Sequence, residues 1–229
     1  MTEIPDQPKQ SAGDVAHAVV KAAISAVPVV GGSASELLGL IFGPPLEKRR
    51  EEWLNRLADG VREIQEKSAE LTPEKLSQDA AFISTALRAT EIAITTHQRE
   101  KLEAVRNAVV NSALPGSPHE TMRQIFLNTV DSLTSWHLRL LSYFDNPSEW
   151  ARNRGIHFPE WSAGSPAQAL ETAMPELVGK RDFYDVVVRD LEQRGFVGGG
   201  IHGLGTGPGM MAQRTTQLGR DFIAFISKR

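Results

Sequence analysis

The chain of 229 residues contains no cysteine, which excludes disulfide bridges, thiolate metal ligands and a thiol nucleophile. It also lacks a surplus of either charge, because 25 Lys and Arg stand against 28 Asp and Glu. No overall field therefore draws the protein to nucleic acid or anionic lipid, and such binding would need a local patch. The absence of cysteine agrees with a reducing compartment, and we expect a cytoplasmic location.

Long hydrophobic runs are missing as well. No stretch holds 18 consecutive apolar residues, so a conventional membrane-spanning helix is not expected. Residues 1–11 are polar, contain Pro5 and Pro8, and lack the basic start and apolar stretch of a secretory signal. We expect them to be disordered and the rest, with 41% hydrophobic residues, to be globular.

Sequence signatures of catalysis and of cofactor binding are also missing. None of the six histidines forms an i, i+4 pair on a helix pattern or lies beside the carboxylates that a metal site needs; they are His17, His97, His119, His137, His157 and His202. Residues 198–203 match G-x-G-x-x-G but lack the flanking strand and helix of a dinucleotide site. We interpret this loop as a hairpin tip, and we predict a non-enzymatic protein without metal or cofactor.

Residues 15–42 are the most apolar segment of the chain. Pro28 and the pair Gly31-Gly32 divide it into two predicted helices, residues 14–27 and 33–42. We expect this hairpin to be buried in the core. The alternative is insertion into a bilayer interface, and the candidate membrane contacts are then Val29, Val30, Leu37, Leu38, Leu40, Ile41 and Phe42.

The stretch AVPVVGG at residues 26–32, followed by a charged amphipathic helix, resembles N-terminal segments of bacterial membrane-active or conflict-system helical proteins. This resemblance implies a helical protein that is stored in soluble form and is triggered to release the hairpin 15–42. A membrane-perturbing effector of the defence or toxin kind is therefore one hypothesis for the function.

Residues 12–133 are predicted to form a helical bundle. A helix opens at Pro44 and runs to about Glu70, with an apolar side formed by Leu46, Trp53, Leu57, Val61 and Ile64. Thr72 is a predicted N-cap, and helix-forming sequence continues to Leu114 with a break near residues 95–97. Its predicted buried stripe is Phe82, Ile83, Leu87, Ile94, Leu102, Val105 and Val109. Residues 115–118 form a connection to a further helix.

Residues 134–229 are predicted to form a second module. Thr134 caps a helix that stops at Asn146, an irregular loop covers residues 150–164, and helices follow at 166–178 and 180–194. A short apolar stretch, a glycine-rich loop and a last helix from Thr216 complete the order, which is the outline of a winged helix. The expected fold class is mainly α, a bundle packed on a winged-helix-like module with a small β-hairpin.

Two stretches of this module, DLEQRGFV at residues 190–197 and RTTQLGR at residues 214–220, resemble the pattern that frames the wing in MarR-like and PadR-like winged-helix proteins. The resemblance implies that the helix 180–195 enters the major groove of DNA and that the wing touches the backbone or the minor groove. The candidate contacts to DNA or to a protein partner are Arg181, Tyr184, Arg189 and His202.

The charges of the same helix argue against DNA. Its basic residues Lys180, Arg181, Arg189 and Arg194 are balanced by Asp182, Asp185, Asp190 and Glu192. The loop 198–213 has no lysine or arginine, although phosphate neutralisation supplies much of DNA affinity. With Phe183, Val187 and Leu191 expected to face inward, we rank a regulatory or protein-interaction protein first, and a DNA-binding transcriptional regulator and a membrane-perturbing effector as alternatives.

Overall fold

The computed structural model describes Leu40 and residues 43–228. The described residues are mainly helical, with one two-stranded antiparallel sheet, which confirms the predicted fold class at this level. Of the predicted hairpin 15–42, only Leu40 is described, and it is exposed; the other candidate membrane contacts lie outside the described residues. No helix in this part of the chain is long and apolar enough to span a membrane.

The first described helix, α1, is Pro44–Lys67, close to its predicted bounds. The chain divides into two compact units, residues 1–54 and 55–229, so that the boundary falls within α1. On the predicted apolar side, Trp53 and Ile64 are buried. In the second unit Glu63 accepts hydrogen bonds from Lys67 at 2.8 Å and from Arg106 at 2.6 Å, and these bonds lower the pKa of Glu63 to about 2.

Four helices follow, and side-chain caps set where they begin. They are α2 Pro73–Leu76, α3 Ala80–Thr95, α4 Arg99–Ala113 and α5 Glu120–Ser132. The Thr72 hydroxyl caps α2 as predicted, and the break near residues 95–97 separates α3 from α4. The carboxylate of Asp79 accepts hydrogen bonds from the N–H groups of Ala81 and Phe82, which starts a helix where the pattern predicted no interruption.

The buried side of α3 differs from the predicted stripe. Ile83 and Leu87 are 39% and 57% exposed, so their predicted burial is wrong. The buried positions of the helix are Phe82, Thr85, Ala89, Ile92 and Ala93. Alanines on this side let α4 and α5, the neighbours of α3, approach closely, so the small residues face inward and two bulky ones are left outside.

Two further helices, α6 Ser135–Asp145 and α7 Pro147–Arg152, meet at Asn146. The Asn146 side chain accepts a hydrogen bond from the Glu149 N–H at 3.0 Å and thereby caps α7. Trp150, which we predicted to lie in an irregular loop, is therefore helical. It is buried, with its ring edge-on to that of Tyr143 at 5.6 Å.

The C-terminal part keeps the predicted order of elements with shorter bounds. It comprises β1 Ala163–Gly164, α8 Pro166–Ala173, a 3-10 turn Pro175–Leu177, α9 Arg181–Gln193, β2 Gly205–Thr206, α10 Gly207–Met210 and α11 Gln217–Ile226. Ala163 pairs with Thr206 in the sheet, so β1 pairs with β2, a strand that lies within the glycine-rich loop. The strands expected beside the loop are reduced to a single bridge between Val197 and Thr215.

The last helix, α11, is fixed at its C-terminal end by a buried amide. Asn111 on α4 is 1% exposed, and its Nδ2 lies 2.8 Å from the carbonyl oxygens of both Phe225 and Ser227. These carbonyls have no partner within the helix. The rings of Phe222 and Phe225 pack against Phe126 on α5 at 5.3 and 5.7 Å. The amide and this aromatic cluster together hold α11 on the bundle.

We expect Asn111→Ala to lower the free energy of unfolding by about 2 kcal/mol, because buried carbonyls lose their donor. Asn111→Asp should cost more, since a carboxylate cannot donate and would face carbonyl oxygens. Urea denaturation followed by circular dichroism measures both effects. The matched control is Asn107→Ala at a half-buried position, which removes one bond donated to the Ile226 carbonyl and one accepted from Arg106. Equal losses at positions 107 and 111 would contradict the role of Asn111.

The N-terminal turn of α11 lies tightly against the residue that follows α9. Thr216 caps the helix by accepting from the Gly219 N–H, and its own N–H donates to the carbonyl oxygen of Phe196 at 2.9 Å. A Cβ atom on Gly219 would overlap that same carbonyl oxygen. A glycine is therefore required for this close approach between the helix and the turn that follows α9.

Gly219→Ala should lower the free energy of unfolding by about 2 kcal/mol, the usual cost of overpacking a tight contact. Gly198→Ala is the matched control, because an added Cβ there has no neighbour within 4 Å, and its effect should stay within about 0.5 kcal/mol. Urea midpoints of the two variants give the comparison. A stable Gly219→Ala protein would show that the turn can move away from Phe196.

Candidate functional site

The buried side of α9 is formed by Tyr184, Val187, Val188 and Leu191. Val187 and Leu191 face inward as predicted, but Phe183 is 42% exposed, so its predicted burial is wrong. Phe183 instead packs edge-on against the ring of Trp136 on α6 at 5.6 Å. The run Val186-Val187-Val188 offers three apolar residues in a row, and the helix turns two of them inward and leaves Val186 outside.

Tyr184, one of the candidate contact residues, lies on the buried side. It is 2% exposed, and its hydroxyl donates to Glu171 on α8 at 2.9 Å. Burial raises the pKa of Tyr184 to about 12, with the hydrogen bond to Glu171 acting in the same direction. This position makes Tyr184 a core residue and corrects its assignment to the contact surface.

Asp185, which was not among the candidate contact residues, brings Arg181 and His202 together. The carboxylate of Asp185 lies 3.5 Å from the Arg181 Nε and 2.7 Å from the His202 Nε2. The i, i+4 spacing of Arg181 and Asp185 signals the first contact. No sequence signal gives the second, because His202 follows 17 residues later. Asp185 therefore engages two of the candidate contact side chains on this side of α9, those of Arg181 and His202.

The solvent side of α9 has an apolar centre with one charge of each sign. Asp182, Val186, Arg189 and Gln193 are all exposed and recur at i, i+4, i+7 and i+11, which places them on one side of the helix. Val186 is 62% exposed, and Phe183 lies beside it. We call these five residues, Asp182, Phe183, Val186, Arg189 and Gln193, the α9 face. Arg189, the remaining candidate contact, therefore stays at the surface.

The other flank of α9 uses its charges internally. Asp190 accepts a hydrogen bond from the Arg194 Nε at 2.9 Å, and one of its oxygens lies 3.2 Å from the His137 Nε2. On α6, Arg139 pairs with Glu176 at 2.6 Å. The arginines that border the α9 face are thus engaged with carboxylates. This arrangement leaves little of the cationic surplus that a phosphate backbone requires.

The glycine-rich loop after α9 has the geometry of a pinned hairpin. The guanidinium of Arg214 donates to the carbonyl oxygens of Gly200 at 2.9 Å and Gly209 at 3.2 Å. Residue 203 is followed by β2 rather than by a helix N-terminus, as a pyrophosphate site would require. Over the part of the chain described, no three His, Asp or Glu side chains form a group that could hold a metal ion.

No protein-family model matches this chain, and neither does any of the curated proteins or solved structures with which it was compared.

His137 links the cap of α6 to α9 and gives the module a pH dependence. Its Nδ1 accepts the backbone N–H of Thr134 at 3.2 Å in a capping box, while its Nε2 faces Asp190. Burial lowers the pKa of His137, and the nearby Arg194 acts in the same direction while Asp190 opposes it. The neutral imidazole is therefore the form that the folded protein favours.

We expect the stability contribution of His137 to be complete above its ordinary pKa of 6.5. The contribution should be lost as the pH falls through the lower pKa of the folded state, because the unfolded chain then binds more protons than the folded chain. His137→Gln should keep the capping box, since glutamine serves at this position, and should weaken the pH dependence. Urea denaturation at about pH 7.5 and about pH 5.5 measures this.

The control for this comparison is His97→Gln, a substitution of an exposed histidine that should show the wild-type pH dependence. An unchanged pH dependence in His137→Gln would contradict the assignment to His137.

Proposed function

We propose that this chain is a non-enzymatic protein-interaction protein whose α9 face binds a protein partner. The observation that carries the proposal is the position of Val186, 62% exposed at the centre of a helix face, with the partly exposed Phe183 beside it. Exposed apolar patches rimmed by polar residues are typical of protein contacts. Asp182 and Arg189 supply such a rim, with one charge of each sign.

The order of elements supports the finer proposal that residues 134–229 form a winged-helix-like module. A helix (α6), a strand (β1) and two helices (α8 and α9) are followed by a loop closed by the bridge between Val197 and Thr215. In DNA-binding helix-turn-helix modules, the second helix of such a pair lies in the major groove. Here the corresponding helix is α9, and its solvent side has an apolar centre.

DNA binding is the alternative that this arrangement disfavours most directly. The carboxylate of Asp185 contacts both Arg181 and His202, and the loop 198–213 has no lysine or arginine that could contact a phosphate. Membrane perturbation by residues 15–42 stays a separate proposal, which liposome leakage with Leu38→Glu as the comparison would test. A gel shift across a salt series tests the first alternative, because true DNA binding weakens steeply with salt.

We expect Val186→Glu to weaken partner binding strongly, because it places a charged carboxylate at the centre of the apolar contact. The measurement is affinity purification of the full chain from a lysate of its native cell, with quantification of each co-purifying protein. A specific partner should be retained by the wild type and depleted at least about tenfold by Val186→Glu.

The matched control is Ile125→Glu on α5, which makes the same kind of change at an apolar residue that is 49% exposed. It should retain the partner at the wild-type level. Equal recovery of the partner with Val186→Glu and Ile125→Glu would show that α9 is not the docking helix. Failure of the wild type to retain any protein would contradict the proposed function itself.

A further inference from the structure

A second surface feature is a groove of about 550 Å³, which is lined by α4, α6 and α11 together with Trp150, Arg154 and the residues that follow α11. Its volume falls in the range of sites for small molecules. The apolar residues that line it are Leu138, Leu141, Ile223 and Ile226. They come from α6 and α11, the two helices that the core holds in place, so the apolar lining is built on rigid elements.

One wall of the groove carries a positioned cation. The guanidinium carbon of Arg154 lies 3.9 Å from the centre of the Trp150 ring, and its Nη1 donates to the Trp150 carbonyl oxygen at 3.2 Å. No carboxylate of residues 43–228 lies within 4 Å of this guanidinium, whereas Arg139 on the same wall is paired with Glu176. Stacking and the carbonyl bond therefore orient Arg154 while leaving it without an anionic partner.

Trp150 forms the surface on which this guanidinium stacks. It lines the groove and is only 4% exposed. Its indole Nε1 has no hydrogen-bond acceptor among the described residues, but the atom is out of contact with solvent, so a ligand in the groove does not reach it. The groove thus offers an ordered guanidinium held against a buried aromatic ring.

The lining from α4 has the opposite charge. It contains Glu100 and Glu103, and Glu103 is paired with Arg99 at 3.1 Å. Lys228, just after the end of α11, adds a further cation to the lining. An anionic group is therefore attracted to Arg154 and Lys228 and repelled from the α4 carboxylates, while an uncharged tail can cover the apolar residues of the lining. This charge pattern favours a ligand with one anionic end.

We propose that this groove binds a small monocarboxylic acid with an apolar tail. The carboxylate pairs with Arg154, for which the planar guanidinium is the suited partner, and the tail lies on the apolar lining from α6 and α11. The inference is independent of the proposed protein-binding role of α9, because none of its residues belongs to the α9 face.

The test is isothermal titration calorimetry of the full chain with hexanoate, and with hexylammonium as a probe of equal length and opposite charge. Hexanoate should bind saturably, with one site per chain, and hexylammonium should not. Arg154→Gln should weaken hexanoate binding about tenfold, the effect of losing one charge-assisted pair. Arg154→Lys should recover part of it, since lysine keeps the charge and loses the planar geometry.

The matched control is Arg152→Gln, an exposed arginine at the end of α7 that does not line the groove, and it should bind hexanoate as the wild type does. Three outcomes would overturn the proposal: no saturation by hexanoate at millimolar concentration, equal affinity for hexylammonium, or equal losses in Arg154→Gln and Arg152→Gln. Each of these leaves the partner-retention result for Val186→Glu unaffected, so the two proposals fail separately.

Discussion

The architecture of the second unit depends on the bond between the Asn111 amide and the end of α11, which joins residues 114 positions apart in the chain. Without it, the carbonyl oxygens of Phe225 and Ser227 would be desolvated with no donor. Because α11 also contacts Phe196 through Gly219 and Thr216, the same bond fixes the end of α9. This bond and the packing of Phe222 and Phe225 against Phe126 together hold α11, and α11 supplies part of the apolar lining of the groove.

Local signals in the sequence predict the helix starts well. Thr72 and Thr134 are the N-caps that they were expected to be, and Thr216, where the last helix was expected to start, is the N-cap of α11, because a cap needs only a hydroxyl and the amides two or three residues later. The Asp79 cap was missed although it has the same chemistry, since the apolar pattern around it appears continuous. Helix bounds are thus local properties, and the sequence contains most of what sets them.

Which side of a helix is buried depends on contacts with distant parts of the chain, and the sequence pattern predicts this less well than it predicts helix starts. In α3 the alanines at 89 and 93 face inward while Leu87 does not, because the neighbouring helices need a close approach more than they need bulk. In α9 the three consecutive valines fit several rotations of the helix, and the choice falls to Tyr184, whose hydroxyl finds Glu171. The candidate contact surface differs accordingly from the predicted one. Arg181, Arg189 and His202 are at the surface, whereas Tyr184 is buried and Phe183 and Val186 are exposed instead.

The loop between Val197 and Thr215 is closed at its base by their bridge and is tied across its width by Arg214. Burial of that guanidinium lowers the pKa of Arg214, a cost that its carbonyl partners offset. The tip nevertheless stands in water, since Leu204 is 88% exposed. Leu204 is therefore exposed on a loop whose base is fixed. A fluorophore or peptide tag attached at Leu204 would report on the module from a fixed position without entering its interior.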